Sequence, residues 1–162
     1  GLSMNSKLLV FDLDDTLLLT SGVIKKDYSN LEQIKLFPGV KEFLINNHSQ
    51  KILVTKGDKT IQEKKVNILG IKNYFEKIFF PLTDAHKINC FKKIIKQYPN
   101  NESWVIGNKI TSEICYGNQL GLKTVLLRKG KYKTLKAKDD SEVPDYEIDK
   151  FTELSNILKC KQ

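Results

Sequence analysis

The sequence predicts an α/β fold in which a parallel sheet of five or six strands is covered by helices on both faces. Two observations support this prediction. Short runs of apolar residues recur along the chain, and segments with helical periodicity separate them. Strands that are apolar throughout, rather than alternating, are typical of parallel sheets buried on both faces. The alternation of strands and helices then favours a three-layer sandwich.

The predicted strands are the apolar runs, and most of them end at a polar residue, glycine or proline. They cover residues 8–12, 52–54, 77–80, 104–106 and 124–127, with a short edge strand at 146–148. Helices are expected after Pro38, over 59–69, over 85–98, near 114–120 and over 151–158. The second of these is expected to begin with a capping box formed by Thr60 and Glu63 and to end at Gly70.

Length and composition fit one globular domain over residues 4–162. The chain has 162 residues, of which 40% are hydrophobic and 28% are charged. We expect Met4 to be the natural start, with residues 1–3 left over from an expression tag. No apolar run has the length of a membrane span and no signal-peptide pattern precedes the first strand, which predicts a cytoplasmic protein without a membrane partner. Cys90, Cys115 and Cys160 show neither a zinc spacing nor a disulfide framework, so free thiols are expected.

The chain carries a net charge of +8, from 27 Lys and Arg against 19 Asp and Glu. A basic surface favours anionic partners, such as phosphorylated substrates or nucleic acid. The lysines are scattered rather than grouped, so most are expected on solvated helix faces. The net charge therefore gives only weak support for nucleic-acid binding, and nucleic acid is kept as an alternative partner.

The stretch from Leu8 to Leu17 carries the strongest chemical signal. Its apolar residues run directly into Asp12, Asp14 and Asp15. Carboxylates crowded at the end of a buried strand repel one another and need a counter-charge, which a hard cation with oxygen ligands supplies. Ligands of open α/β sheets also bind at the carboxyl ends of strands. The pattern therefore predicts a metal-assisted site.

The run Asp-x-Asp-x-Thr-Leu after an apolar strand resembles the first motif of the haloacid dehalogenase-like (HAD) phosphohydrolase superfamily. The resemblance implies a Rossmann-like core with strand order 5-4-1-2-3 and Mg²⁺ as the cofactor. It implies that Asp12 is the nucleophile, and that Asp14 is the general acid and base and offers its backbone carbonyl to the metal. Thr16 would help to hold the turn, whereas Asp15 fills a variable position and is interpreted as a turn residue.

Two further motifs of the family match later positions. Thr55 ends the second strand before a helix, where its hydroxyl and the N–H groups of Lys56 and Gly57 could hold a phosphoryl oxygen. The third motif is a lysine that neutralises charge, and Lys87 is the candidate, although this chain contains many lysines. The second motif resembles that of a bacterial subgroup with Thr-Lys-Gly-Asp, here residues 55–58, with Gln62 and Lys65 downstream.

The fourth motif departs from the usual family pattern of two acids. Asn108 replaces the first acid and Glu113 the second. An amide oxygen can still bind Mg²⁺, and magnesium sites rely on one or two carboxylates plus waters and phosphate. The same bacterial subgroup often has Gly-Asn here. Glu113 is one methylene longer than Asp and is expected to reach waters of the metal.

Neither insertion point of the family has room for a full cap domain, because about twenty residues (18–37) follow the first motif and a helix and a strand fill the interval from Thr55 to Lys87. The resemblance implies an open site for large phosphorylated substrates, or one that a neighbouring subunit covers. The leading interpretation is a Mg²⁺-dependent phosphatase. A weakly active or inactive module that binds a phosphorylated ligand is the alternative, and a nucleic-acid-end phosphatase is a third.

Overall fold

The computed structural model describes residues 6–159, and its strands form one parallel sheet of six. The strand order is β3-β2-β1-β4-β5-β6, and every neighbouring pair is parallel. The predicted order 5-4-1-2-3 is therefore confirmed, with β6 added at the outer edge of β5. The strands are β1 (Lys7–Phe11), β2 (Gln50–Val54), β3 (Lys77–Phe79), β4 (Glu102–Gly107), β5 (Lys123–Leu127) and β6 (Tyr146–Ile148).

Within residues 6–159, five α-helices connect or follow the strands, and three of them continue from short 3-10 or π turns. They are α1 (Val40–Asn46), α2 (Lys59–Leu69), α3 (Lys87–Gln97), α4 (Cys115–Gln119) and α5 (Leu154–Lys159). A 3-10 turn at Asp84–His86 precedes α3, and a π turn at Ile110–Ile114 precedes α4. Among residues 6–159, no helix is both long and apolar enough to cross a membrane.

The central strand β1 is buried on both faces, as its uninterrupted apolar sequence predicts. Leu9 and Phe11 belong to the larger core cluster, and Leu8 and Val10 belong to a second cluster on the opposite face. Successive side chains of a strand point to opposite faces, so one strand supplies both cores. The ring of Phe11 makes edge contacts with two aromatic rings of the larger core, Phe43 and Phe75.

Helix α2 has the predicted bounds but a different N-terminal cap. The carboxylate of Asp58 accepts a hydrogen bond from the backbone N–H of Ile61 at 3.1 Å. The predicted capping box of Thr60 and Glu63 is wrong, because the helix begins one residue before Thr60 and places it inside the first turn. Gly70 ends the helix in the left-handed conformation, as predicted.

The segment between β1 and α1 folds back onto the core instead of forming a separate unit. Leu18 pairs with Leu36 in an antiparallel bridge, and Leu31 and Ile34 are buried in the larger core. No full cap domain is therefore inserted after β1 within the described part of the chain. Cys90 and Cys115 are free thiols, as expected. The predicted tag residues 1–3 and Cys160 lie outside the described residues.

Candidate active site

Three polar residues that were predicted from separate motifs follow three neighbouring strands. Asp12 follows β1, Thr55 follows β2 and Asn108 follows β4. Because β2, β1 and β4 are adjacent and parallel, their carboxyl ends meet at one edge of the sheet. A cavity of about 580 Å³ opens there, and Asp12, Asn108 and Lys87 are among its lining residues.

Asp12 and Lys87 form a buried ion pair at the floor of this cavity. The Lys87 Nζ lies 3.2 Å from Asp12 Oδ1 and 3.2 Å from Glu113 Oε2. Burial raises the pKa of Asp12 to about 7, although the nearby ammonium of Lys87 lowers it; the carboxylates of Glu113 and Asp14 raise it further. Burial alone would lower the pKa of Lys87, but the surrounding carboxylates raise it above its ordinary value.

Glu113 closes the loop that carries the fourth motif. Its Oε1 accepts hydrogen bonds from the backbone N–H groups of Asn108 at 2.9 Å and Lys109 at 3.0 Å. The side chain is buried and both of its oxygens have partners within the fold, and its reach toward waters of a metal stays a prediction. The preceding Gly107 makes room for it, because a Cβ there would lie 2.2 Å from Glu113 Cγ.

Asn108 faces the carboxylate of Asp12. With its amide nitrogen toward Asp12, Asn108 donates to Asp12 Oδ2 at 2.9 Å and to Glu113 Oε1 at 3.2 Å. The hydroxyl of Thr16 donates to the same Asp12 oxygen at 3.1 Å. Thr16 therefore contacts the Asp12 carboxylate directly.

Asp14 is held by three donors that come from outside the first motif. Its Oδ1 accepts from Lys65 Nζ at 2.8 Å and from the Thr20 hydroxyl at 2.8 Å, and its Oδ2 accepts from Gln62 Nε2 at 2.9 Å. Gln62 also donates to the hydroxyl of Thr55. Gln62 and Lys65 entered the sequence analysis only as parts of a motif, and their contact with Asp14 could not be read from the sequence.

The second-motif loop contributes cationic and backbone groups to the rim of the cavity. Lys56 is exposed, and its Nζ lies 3.8 Å from Asp84 Oδ2. The N–H of Gly57 donates to the carbonyl of Pro81, so this N–H is engaged within the fold and is not free for a phosphoryl oxygen. The expectation that Gly57 offers its own N–H is therefore corrected, although its φ of 134° fits glycine alone at this turn.

Asp84 is a site residue that the sequence analysis did not identify. It accepts from Lys109 Nζ at 2.6 Å, and its other oxygen lies 4.0 Å from Lys87 Nζ. These lysines lower the pKa of Asp84, although burial raises it. The only available signal was its position three residues before Lys87, which places both on the same face of a helical turn.

Asp15 is a turn residue, as interpreted, but its carboxylate also anchors the segment after the first motif. Its φ is 61°, and its Oδ1 accepts from the backbone N–H groups of Thr20 at 2.8 Å and Ser21 at 2.9 Å. Gly130 of the loop after β5 packs directly on this carboxylate, because a Cβ there would lie 2.4 Å from Asp15 Cγ.

The oxygen groups around Asp12 suit a hard cation. Asp12 Oδ2 accepts from the amide nitrogen of Asn108, and rotation of this amide would offer its oxygen to a bound cation instead. Within residues 6–159 no group of three His, Cys, Asp or Glu side chains could hold a metal by itself. One carboxylate, one amide and the backbone carbonyl of Asp14 match the way Mg²⁺ is held, with waters and phosphate completing its ligands.

Sequence comparisons identify relatives of this chain. A family model described as HAD-hydrolase-like matches residues 85–154. A glyceraldehyde 3-phosphate phosphatase of Methanopyrus kandleri is 24% identical over 160 residues, covering 88% of this chain and 64% of the relative. The enzyme of the same name from Methanocaldococcus jannaschii is 27% identical over 154 residues, covering 90% and 66%. The chain thus spans slightly less than two thirds of the length of these curated relatives.

Solved structures share the fold over almost the whole chain. A haloacid dehalogenase-like family hydrolase of Streptococcus pneumoniae has a TM-score of 0.72 at 14% identity, covering 96% of this chain and 99% of that chain. A 2-haloacid dehalogenase of Pseudomonas syringae has a TM-score of 0.67 at 17% identity, covering 94% and 98%. At these identities the likeness shows the fold. The family match over residues 85–154 and the motif residues gathered at one sheet edge agree with the haloacid dehalogenase-like hydrolase fold of these structures.

Proposed function

We propose that this protein is a Mg²⁺-dependent phosphomonoester hydrolase that works through an aspartyl-phosphate on Asp12. One observation carries the proposal: Asp12 is buried at the end of the central strand and is held between Lys87 and Thr16, beside Asn108. A carboxylate in a fixed position, with a cation next to it, is prepared to attack a phosphorus atom.

In the first step a carboxylate oxygen of Asp12 attacks the phosphorus, and the bond from phosphorus to the leaving oxygen breaks. Asp14 gives a proton to that oxygen, so the substrate leaves as an alcohol. In the second step Asp14 takes a proton from water, and the water oxygen attacks the phosphorus of the aspartyl-phosphate. The bond to Asp12 breaks, inorganic phosphate is released and both carboxyl groups return to their starting states.

The remaining residues supply charge and orientation for these steps. The ammonium of Lys87 is placed to offset the charge that gathers on the phosphoryl oxygens and on Asp12. The hydroxyl of Thr55 and the side chain of Lys56 would bind those oxygens, and Asn108 with Asp12 would hold the metal. When bound, Mg²⁺ would supply positive charge against the phosphoryl group.

The relatives suggest the first substrates to test. Both curated relatives are named glyceraldehyde 3-phosphate phosphatases, so we propose small phosphorylated carbohydrates as the substrate class. The cavity wall includes the apolar side chains of Ile24 and Ile61 next to the charged groups. These two side chains can contact the short carbon skeleton of such a leaving group.

A panel of phosphomonoesters assayed with and without Mg²⁺ tests this function. It should contain triose phosphates, larger sugar phosphates, a 5′-phosphorylated oligonucleotide and an aryl phosphate. We expect Mg²⁺-dependent release of phosphate from small sugar phosphates, and loss of release in the Asp12→Asn variant. Binding of these compounds without hydrolysis by the wild type would instead favour the ligand-binding module, which the amide of Asn108 in place of an acid keeps in consideration.

A further inference from the structure

Lys65 is a buried lysine whose ammonium contacts a single carboxylate. The residue is 4% exposed, and its Nζ lies 2.8 Å from Asp14 Oδ1. Burial of an ammonium is unfavourable unless a partner offsets the lost hydration. Placing Lys65 beside Asp14 therefore costs desolvation free energy, which an apolar side chain at the same helix position would avoid.

The buried face of α2 is polar where it meets the first motif. Its buried residues are Gln62, Lys65 and Val66. Gln62 and Lys65 are three residues apart, which places their side chains on one face of the helix, and both donate to Asp14. The Thr20 hydroxyl, from the segment that follows the first motif, donates to the same Asp14 oxygen as Lys65.

Gln62 also connects Asp14 with the second motif. Its amide nitrogen donates both to Asp14 Oδ2 and to the hydroxyl of Thr55. Gly57 lies against it, because a Cβ added there would be 3.6 Å from the Gln62 side chain. The position of the Asp14 carboxylate is therefore linked to the residue proposed to bind a phosphoryl oxygen.

We propose that Lys65 is a positioning residue which, together with Gln62 and Thr20, holds Asp14 for proton transfer to the leaving oxygen. This inference rests on the proposed phosphatase function. A proton donor must lie within hydrogen-bond distance of its acceptor in the transition state. An aspartate with three fixed donors loses less rotational freedom when the substrate arrives, and Lys65 supplies the strongest of the three because it is charged.

The test compares two substrates whose leaving groups differ in their need for a proton. The wild type, Lys65→Met and Lys65→Arg are assayed with the alkyl phosphate that the wild type hydrolyses best and with p-nitrophenyl phosphate. For Lys65→Met we expect kcat/KM, which reports the steps up to release of the leaving group, to fall about 100-fold on the alkyl substrate and less than about threefold on the aryl substrate, because a nitrophenolate leaves without protonation. Lys65→Arg should restore most of the loss.

Lys64→Met is the matched control, since Lys64 is the exposed neighbour of Lys65 on the same helix. It should leave kcat/KM unchanged for both substrates. Should Lys65→Met fold poorly, Thr20→Val removes a donor from a different segment and should show the same substrate selectivity with a smaller loss.

An equal loss of kcat/KM on both substrates would overturn the positioning role in protonating the leaving group while leaving the phosphatase function intact. A wild type that hydrolyses neither substrate would overturn the phosphatase function and this inference with it. A selective loss on the alkyl substrate, rescued by arginine, supports the inference.

Discussion

The ammonium of Lys87 lies at the same distance, 3.2 Å, from the carboxylates of Asp12 and Glu113. It therefore joins the proposed nucleophile to the residue that closes the fourth-motif loop. All three side chains are buried, so each depends on the others to offset the lost hydration of its charge. Lys87 therefore contributes both to the stability of the fold and to the proposed chemistry.

Replacing Lys87 with Met should destabilise the fold and abolish the proposed activity. Two buried carboxylates would lose their shared cation, and breaking a buried ion pair in this way costs about 3–5 kcal/mol. We expect that loss in the free energy of unfolding, measured with urea, and no detectable phosphatase activity. Lys92→Met is the control, because Lys92 is exposed on the same helix and should change neither. Wild-type stability in Lys87→Met would mean that the pair contributes little to the fold.

The convergence of Asp12, Thr55 and Asn108 could be predicted because each follows an apolar run, and parallel strands place their ends at one edge. Lys87 could be selected only through its place in a motif, since the chain has many lysines. The roles of Lys65 and Asp84 could not be predicted. Lys65 contacts Asp14, which is 51 residues away in the sequence, and Asp84 contacts Lys109 on another loop. The local sequence does not predict such contacts.

The helix start of α2 shows a second limit. Both Asp58 and Thr60 are favourable capping residues. Because Glu63 lies three positions after Thr60, the sequence pattern predicts a capping box that begins at Thr60. The structure selects Asp58, which directly follows the turn at Gly57 and lies two residues before Thr60. Competing local signals of similar strength are decided by tertiary packing, so the residue that caps a helix is less predictable than the helix itself.

Asp12 should make the metal-free protein less stable as pH rises. Its folded-state pKa is about 7 against 3.8 for an ordinary Asp, so between these values the folded state keeps a proton that the unfolded state releases. Stability then falls as pH increases through this window. In EDTA, the unfolding midpoint of Asp12→Asn relative to the wild type should therefore rise by about 3 °C or more between pH 4 and pH 8.

The control for this titration is Asp149→Asn, an exposed aspartate outside the cavity, which should show no pH-dependent gain. Thermal unfolding followed by circular dichroism at several pH values measures both variants. A constant difference between wild type and Asp12→Asn from pH 4 to pH 8 would contradict the raised pKa of Asp12.

Gly130→Ala should disturb the active site through Asp15. Gly130 has a φ of 77°, and an added Cβ would lie 2.4 Å from Asp15 Cγ. Asp15 cannot move freely, since its carboxylate holds the backbone of Thr20 and Ser21. We expect a loss of about 2–4 kcal/mol in the free energy of unfolding, combining strained backbone and overpacking, measured with urea.

Gly121→Ala separates the two causes. Gly121 has a nearly equal φ of 75°, but nothing lies within 4 Å of an added Cβ. The Gly121→Ala variant should therefore lose only the backbone contribution, about 1–2 kcal/mol in the free energy of unfolding, and should keep full activity. Equal losses in the two variants would show that the contact with Asp15 has no energetic weight.

We predict that Asn108 sets how tightly the site binds Mg²⁺. A carboxylate offers a full charge to a cation and an amide offers only a dipole, so Asn108→Asp should tighten Mg²⁺ binding in calorimetric titrations. Asn108→Leu should weaken it by about tenfold or more, because even partners outside the ligand shell carry effects of that size. Three matching affinities among wild type and these variants would remove Asn108 from the metal site.

The metal-free protein offers a second measurement of the same residue. The amide nitrogen of Asn108 can donate to Asp12 Oδ2 at 2.9 Å and to Glu113 Oε1 at 3.2 Å. In Asn108→Asp a third carboxylate would replace this donor, at a cost of about 1–3 kcal/mol in the free energy of unfolding in EDTA. Added Mg²⁺ should recover that loss in proportion to its tighter binding. Asn89→Asp, at an exposed position on α3, controls for the change in net charge and should respond to neither EDTA nor Mg²⁺ differently from the wild type.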